Sequence, residues 1–238
     1  MAGSLSASAQ SARAARPDAA DTLSERAAAL IQRDILSGRL PPGSRLGIMD
    51  LAKGYGLGAT PVREGLSRLV ARQFVVALGQ RGFRVAPISE SDLRDITRMR
   101  IVIEIEALSL SMKLGKDDWE AGVLAALHRM QRFVERTPRF GEGSQEFDTL
   151  HKRFHTSLLE ACGSPRLLAA HSDLYDQAYR YRRVMMRKFE SGKTFMQAHS
   201  DLADRVLARD QKYAPPMLAA HLKSTIDYVY PQKRGRTS

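Results

Sequence analysis

"ATPVREGLSRLVARQFVVALGQRGFRVAP", residues 59–87, is the stretch on which the reading of the fold turns. Its first half follows helical grammar. Val62, Leu66 and Leu69 recur at helical spacing and make an inward face. Thr60 is the expected N-cap, with Pro61 at the first helical position. The second half follows strand grammar. Val75 to Leu78 and Phe83 to Val85 read as two short strands, joined by the glycine-containing turn "GQRG" and closed by Pro87. Upstream, "TLSERAAALIQRDILSGRL" opens with Thr22 three residues before Glu25, a capping-box pattern, and stops at Gly38 and "LPPG". "IMDLAKGYG" reads as a second, short helix that ends in glycines.

Three short helices followed by a hairpin make the layout of a winged helix-turn-helix. The third helix of such a unit enters the major groove with its N-terminal end toward the bases. Thr60 and the first backbone N–H groups can grip a phosphate. Arg63, one turn in, can reach a guanine edge or a phosphate. Arg68 and Arg72 lie further along, where the DNA backbone would be. Arg81 and Gly82 form a small, basic wing tip suited to the minor groove, and Arg45 completes the DNA-facing set. The charge distribution agrees. The chain carries a formal charge of +11, which suits an anionic partner. Residues 1–87 hold 12 Lys/Arg against 6 Asp/Glu, a net of +6, so the first third is the more densely basic part.

From Ser89 onward no strand is expected. "SESDLRDITRMRIVIEIEALSLSMKL" is a long helix with Ser89 ahead of Asp92 as its start signal. Helical runs follow at about 117–136, 143–162, 165–190, 194–209 and 214–230, punctuated by Pro165, Gly192, Pro215 and Pro216. The fold class is therefore mainly α: a winged helix-turn-helix (three helices and a β-hairpin), then an all-α helical bundle. The expected organisation is a disordered tail over 1–21, a DNA-binding domain over 22–87, a helical effector and dimerisation domain over 88–230 and a basic tail over 231–238. No apolar run is long enough to span a membrane. The single cysteine, Cys162, cannot form an intramolecular disulfide and reads as a small buried residue near a helix end. A reducing, cytoplasmic setting fits.

Six histidines are present, at 128, 151, 155, 171, 199 and 221. In "HKRFH", His151 and His155 are four apart and share one helix face. His199 falls on the penultimate expected helix and His221 on the last. Imidazoles from three helices of a bundle can converge on one ion, for which Zn²⁺, Ni²⁺ and Mn²⁺ are candidates. Arg100 and Glu104 lie one turn apart on the long helix, the spacing of a helix-surface ion pair. His128, His171, Arg182 and Arg183 carry no strong signal.

"LPPGSRL…DLAKGYGLGATPVREGLSRLVARQFV…GQRGFRV" resembles the DNA-binding domain of GntR-type bacterial transcriptional regulators. The segments "MRIVIEIEAL", "HKRFHTSLLEACGSPRLL", "QAHSDLADRVLARD" and "MLAAHL" resemble the helical effector domain of the FadR-type subgroup. The resemblance implies a homodimer on a double-stranded operator and a small effector, a carboxylate such as an organic or sugar acid, with Arg100, beside Glu104, facing its pocket and able to pair with it bidentately. It also implies a metal site built from an Asp, a His four residues on, and two His from the last helices. His155, His199 and His221 match the histidines, and His151 stands where the Asp normally is. An all-histidine set is softer and leans toward Zn, Ni or Cu over Mn or Mg. The family also has a polar residue and an arginine before the Thr-Pro pair. This chain has Gly58 and Ala59 there, so one expected DNA-contacting arginine is missing.

The function expected is a DNA-binding regulator and not an enzyme. Lys152 follows His151, so the "HExxH" arrangement of a metallohydrolase is absent. The alternative is a metal-dependent hydrolase or lyase with an attached helix-turn-helix. A basic architectural protein would instead bind DNA without regard to sequence and with a steep salt slope.

Overall fold

The computed structural model describes residues 22–137, 144–186 and 191–231. The expected tail residues 1–21 and 232–238 lie outside the described residues, as do the side chains of Arg182 and Arg183. The first unit runs α1 (Leu23–Leu36), β1 (Arg45–Leu46), α2 (Ile48–Tyr55), α3 (Ala59–Ala71), β2 (Val75–Ala77) and β3 (Phe83–Val85). Thr22 caps α1 in a complete capping box: its hydroxyl accepts from the Glu25 N–H, and Glu25 accepts from the Thr22 N–H.

Two details differ from the sequence reading. Thr60 is not the N-cap of α3. Gly58 is, with no side-chain cap, and Thr60 is the second helical residue. The first intrahelical bond runs from Val62 N–H to Gly58 O at 3.3 Å. Pro61 is therefore still within the first turn, where a missing N–H costs nothing. The hairpin also gains a third strand. β1 pairs antiparallel with β3, with Arg45 opposite Arg84, to give the order β1-β3-β2. Two residues are too few to show a period. The wing turns through Gly79 and Gly82, whose φ values of 61° and 93° favour glycine.

The core of this unit joins Ala27 and Ile31 of α1 to Val62, Leu66 and Leu69 of α3, with Phe74 and Val85 from the sheet region. The two helices meet at Gly65. A Cβ there would lie 2.8 Å from the Ala28 backbone nitrogen and 3.0 Å from the Ala27 Cβ. Gly65→Ala should therefore destabilise by about 1–3 kcal/mol through overpacking, despite a helix-propensity gain of ~1 kcal/mol. Urea denaturation checks this; a stabilised variant would mean that the helices separate freely.

The second unit is helical throughout the described residues. It comprises α4 (Glu90–Leu114), α5 (Asp117–Arg136), α6 (Gln145–Leu159), α7 (Pro165–Met186), α8 (Gly192–Leu207) and α9 (Ala214–Val229). Ser89 caps α4 by accepting from the Asp92 N–H. Leu93, Leu108, Met130, Phe147, Phe154 and Leu202 form its buried core. Cys162 is buried at 3% exposure, just beyond α6.

α7 ties the two units together. Arg180 donates to the carbonyls of Ala86 (2.6 Å) and Pro87 (2.8 Å), gripping the linker. Tyr181 donates to Asp92 (2.6 Å) and accepts from the Ser89 N–H (3.0 Å). Burial, and then the bond to Asp92, push its hydroxyl pKa above the ordinary tyrosine range.

Candidate metal centre

α6 presents His151 and His155 one turn apart toward the middle of the bundle, α8 adds His199 and α9 adds His221. One ring nitrogen from each lies within 4.8 Å of the others. His151, His155 and His199 are buried and His221 is half-buried. The His151 Nε2 is 2.9 Å from the His199 Nε2 and 3.1 Å from the His155 Nε2. Nitrogens that ligate one ion at about 2.0–2.1 Å lie roughly 3 Å apart.

Hydrogen bonding fixes which nitrogens face inward. The His199 Nδ1 is 2.7 Å from the carbonyl of Phe195. A carbonyl only accepts, so Nδ1 carries the proton and the neutral ring turns an Nε2 lone pair toward the cluster. The His151 Nδ1 is 2.6 Å from the Tyr175 hydroxyl on α7. With Nδ1 as the donor there, two Nε2 lone pairs meet at 2.9 Å, an approach that a cation between them would turn from repulsive to favourable. The donor set thus fits a divalent metal, and the outer partners Phe195 and Tyr175 are of the kind that orient ligating imidazoles.

A cavity of about 350 Å³ opens on this cluster, lined also by Arg100, Phe195, Thr225 and Tyr228. Arg100 and Glu104 are paired, Nε to Oε1 at 2.6 Å, but they are not a surface pair. They are 5% and 1% exposed. His171, which carried no signal in the sequence, joins them: its Nδ1 is 3.1 Å from the Glu104 Oε1, and its Nε2 is 3.2 Å from the Thr156 hydroxyl. Burial works to raise the Glu104 pKa, but Arg100 and His171 outweigh it and hold the carboxyl below its ordinary value. Glu104 therefore anchors Arg100, and of the pair it is Arg100 that borders the cavity. His128 is exposed on α5, away from the cluster.

On the first unit, Thr60, Arg63, Arg68, Arg81 and Arg45 are all exposed, and Gly82 is half-buried in the wing. Arg68 reaches Glu25 at 3.5 Å. The Arg45 guanidinium donates to the Arg81 carbonyl at 3.4 Å, linking β1 to the wing tip. Arg72 departs from expectation. Its guanidinium is engaged within the protein: its Nε and Nη2 donate to the Asp173 carboxylate on α7, at 3.0 and 2.6 Å.

Known proteins match both units. Residues 23–85 match the family described as "Bacterial regulatory proteins, gntR family", and residues 95–224 match the FCD domain. The chain is 38% identical over 200 residues to the uncharacterized HTH-type transcriptional regulator BphR of Paraburkholderia xenovorans, covering 84% of this chain and 82% of that one. It is 34% identical over 209 residues to the HTH-type transcriptional repressor GlaR of Escherichia coli, covering 86% and 94%. The solved structure of E. coli McbR/YncC shares the fold, with a TM-score of 0.74 at 23% identity over 90% of this chain and 99% of that one. These relatives are described as regulators, so the hydrolase or lyase alternative is set aside. The chain belongs to the GntR family of bacterial regulatory proteins, with an FCD domain as its helical half, and is a DNA-binding transcriptional regulator and not an enzyme.

Proposed function

We propose that this regulator senses a small carboxylate at a divalent metal held by His151, His155, His199 and His221. The observation that carries the reading is the convergence of four inward imidazoles on a cavity that also holds Arg100. The metal supplies a Lewis-acidic contact for one ligand oxygen. The Arg100 guanidinium has five N–H donors in a fixed fork and suits the same carboxylate. Glu104 and His171 hold that guanidinium in place. The set of imidazoles favours zinc or nickel over manganese.

On the DNA side, Arg63 is the residue for base contact, with Thr60, Arg68, Arg81, Gly82 and Arg45 positioning the unit against backbone and minor groove. Two copies of the chain address an operator of twofold character. Met99 and Val102, 49% and 67% exposed on α4, offer an apolar stripe for the second copy.

Arg63→Ala should weaken binding to an operator selected from random DNA by about 1–3 kcal/mol, with metal per chain unchanged. Loss of both together would mark a folding defect and would remove the assignment of Arg63. Thermal shift against a panel of organic and sugar acids, with and without zinc, tests the sensor reading. A ligand that stabilises equally in Arg100→Met would contradict the role of Arg100.

A further inference from the structure

We propose that Tyr175 is a positioning residue that carries the state of the metal centre across α7 to a polar latch on the DNA-binding unit. The inference rests on the metal reading above. Tyr175 stands between the two regions. Its hydroxyl meets the His151 Nδ1 at 2.6 Å, and it is 2% exposed. A metal on the His151 Nε2 requires Nδ1 to be the N–H donor, which fixes both the ring and the tyrosine oxygen that receives it.

The latch begins one residue further along each helix. Lys152, next to His151 on α6, donates to the Asp176 Oδ1 at 2.7 Å, and its ammonium lies 5.7 Å from the Tyr175 ring centroid. α6 therefore holds the consecutive pair Tyr175 and Asp176 at two points. The other Asp176 oxygen accepts from Gln32 of α1 at 3.0 Å. The Gln32 carbonyl accepts from the Arg72 Nη1 at 2.6 Å. Arg72, the C-cap residue of α3, completes the set by donating to Asp173. Two cations, two carboxylates and one amide thus join α6 and α7 to α1 and to α3, the helix proposed to read the DNA.

The latch is built to be resettable. Arg72 and Asp173 are 34% and 48% exposed, so their pairing is worth little by itself and solvent can replace it. A cavity of about 390 Å³ lies between α1, α6 and α7, bounded by Gln32, Lys152 and Tyr175. It gives these side chains room for a second arrangement. Two arrangements of one element, biased by the metal centre, are what coupling between separated sites requires.

Hydrogen–deuterium exchange on the full chain, with zinc chloride as the probe and metal per chain measured alongside, tests the idea. Zinc should slow exchange roughly threefold or more in peptides covering residues 29–37 and 66–73, as well as near the histidines. Tyr175→Phe, at saturating zinc to offset a loss in affinity of about 10–100-fold, should keep the slowing in α8 and α9 and lose it in α1 and α3. Arg72→Gln should bind zinc as the natural chain does and lose the same distant response. Zinc that binds without changing α1 or α3, or a response that survives in both variants, overturns the proposal and leaves the metal centre standing. Failure of zinc to bind the natural chain overturns the metal reading, and this inference with it.

Discussion

Glu104→Gln is expected to cost about 3–5 kcal/mol of folding stability, an effect as large as emptying a well-packed core position. The residue is 1% exposed, and its partners Arg100 and His171 are 5% and 0% exposed. Removing the carboxylate charge leaves a guanidinium in the bundle without compensation. Removing both charges is a different matter, because apolar side chains of similar volume lose no charge pairing. Arg100→Met with Glu104→Leu should recover most of the loss. Chemical denaturation separates the two cases, and equal instability of single and double variants would show that shape, not charge, governs the site.

The same pair gives a pH prediction with a definite sign. The folded pKa of Glu104 lies below its ordinary value of 4.5, because Arg100 and His171 outweigh the opposing effect of burial. Between the two pKa values the unfolded chain binds more protons than the folded one. Stability from this carboxylate is therefore complete above about pH 4.5 and is lost as the pH falls through the folded value. The gap between the natural chain and Glu104→Gln should be flat near neutrality and close below about pH 4.5. A gap that stays constant down to about pH 3 would mean that folding does not shift the Glu104 pKa.

The sequence made much of this architecture legible, for reasons that can be named. The capping box at Thr22 and Glu25, the Ser89 cap and the inward stripe of Val62, Leu66 and Leu69 are local signals, read within one or two turns. His151 and His155 declare themselves because i and i+4 share a helix face. Contacts between distant residues were less accessible. His171 and Tyr175 lie on a helix whose rotation about its own axis depends on packing, so their meetings with Glu104 and His151 have no local signature. The bond of Arg72 to Asp173 lacks a local signature for the same reason. On a lone α3 Arg72 continues the basic face of Arg68, and only the arrival of α7 turns it toward Asp173. The strand β1 has no sequence signature because two residues carry no alternation.

The proposed metal centre yields the other large effect. One zinc per chain is expected, and zinc at a hundredfold excess over its Kd should stabilise the fold by about 2.7 kcal/mol. For a chain of this size that raises the melting temperature by roughly 5–10 °C. His155→Ala with His221→Ala removes ligands from two helices and should abolish the shift while the apo stability stays close to that of the natural chain. Protons compete with the ion for imidazole nitrogens, so acidification from about pH 7.5 to about pH 5.5 should release the metal. The most discriminating change is His151→Asp, which introduces the residue type that the family resemblance implies at this position. A carboxylate oxygen is a harder donor than an imidazole, so the ratio of manganese to zinc affinity should rise. A ratio that does not move, with one zinc still bound, would make His155, His199 and His221 the ligands and His151 an outer partner. The link through Tyr175 would then begin outside the coordination sphere, and its response to metal would weaken accordingly.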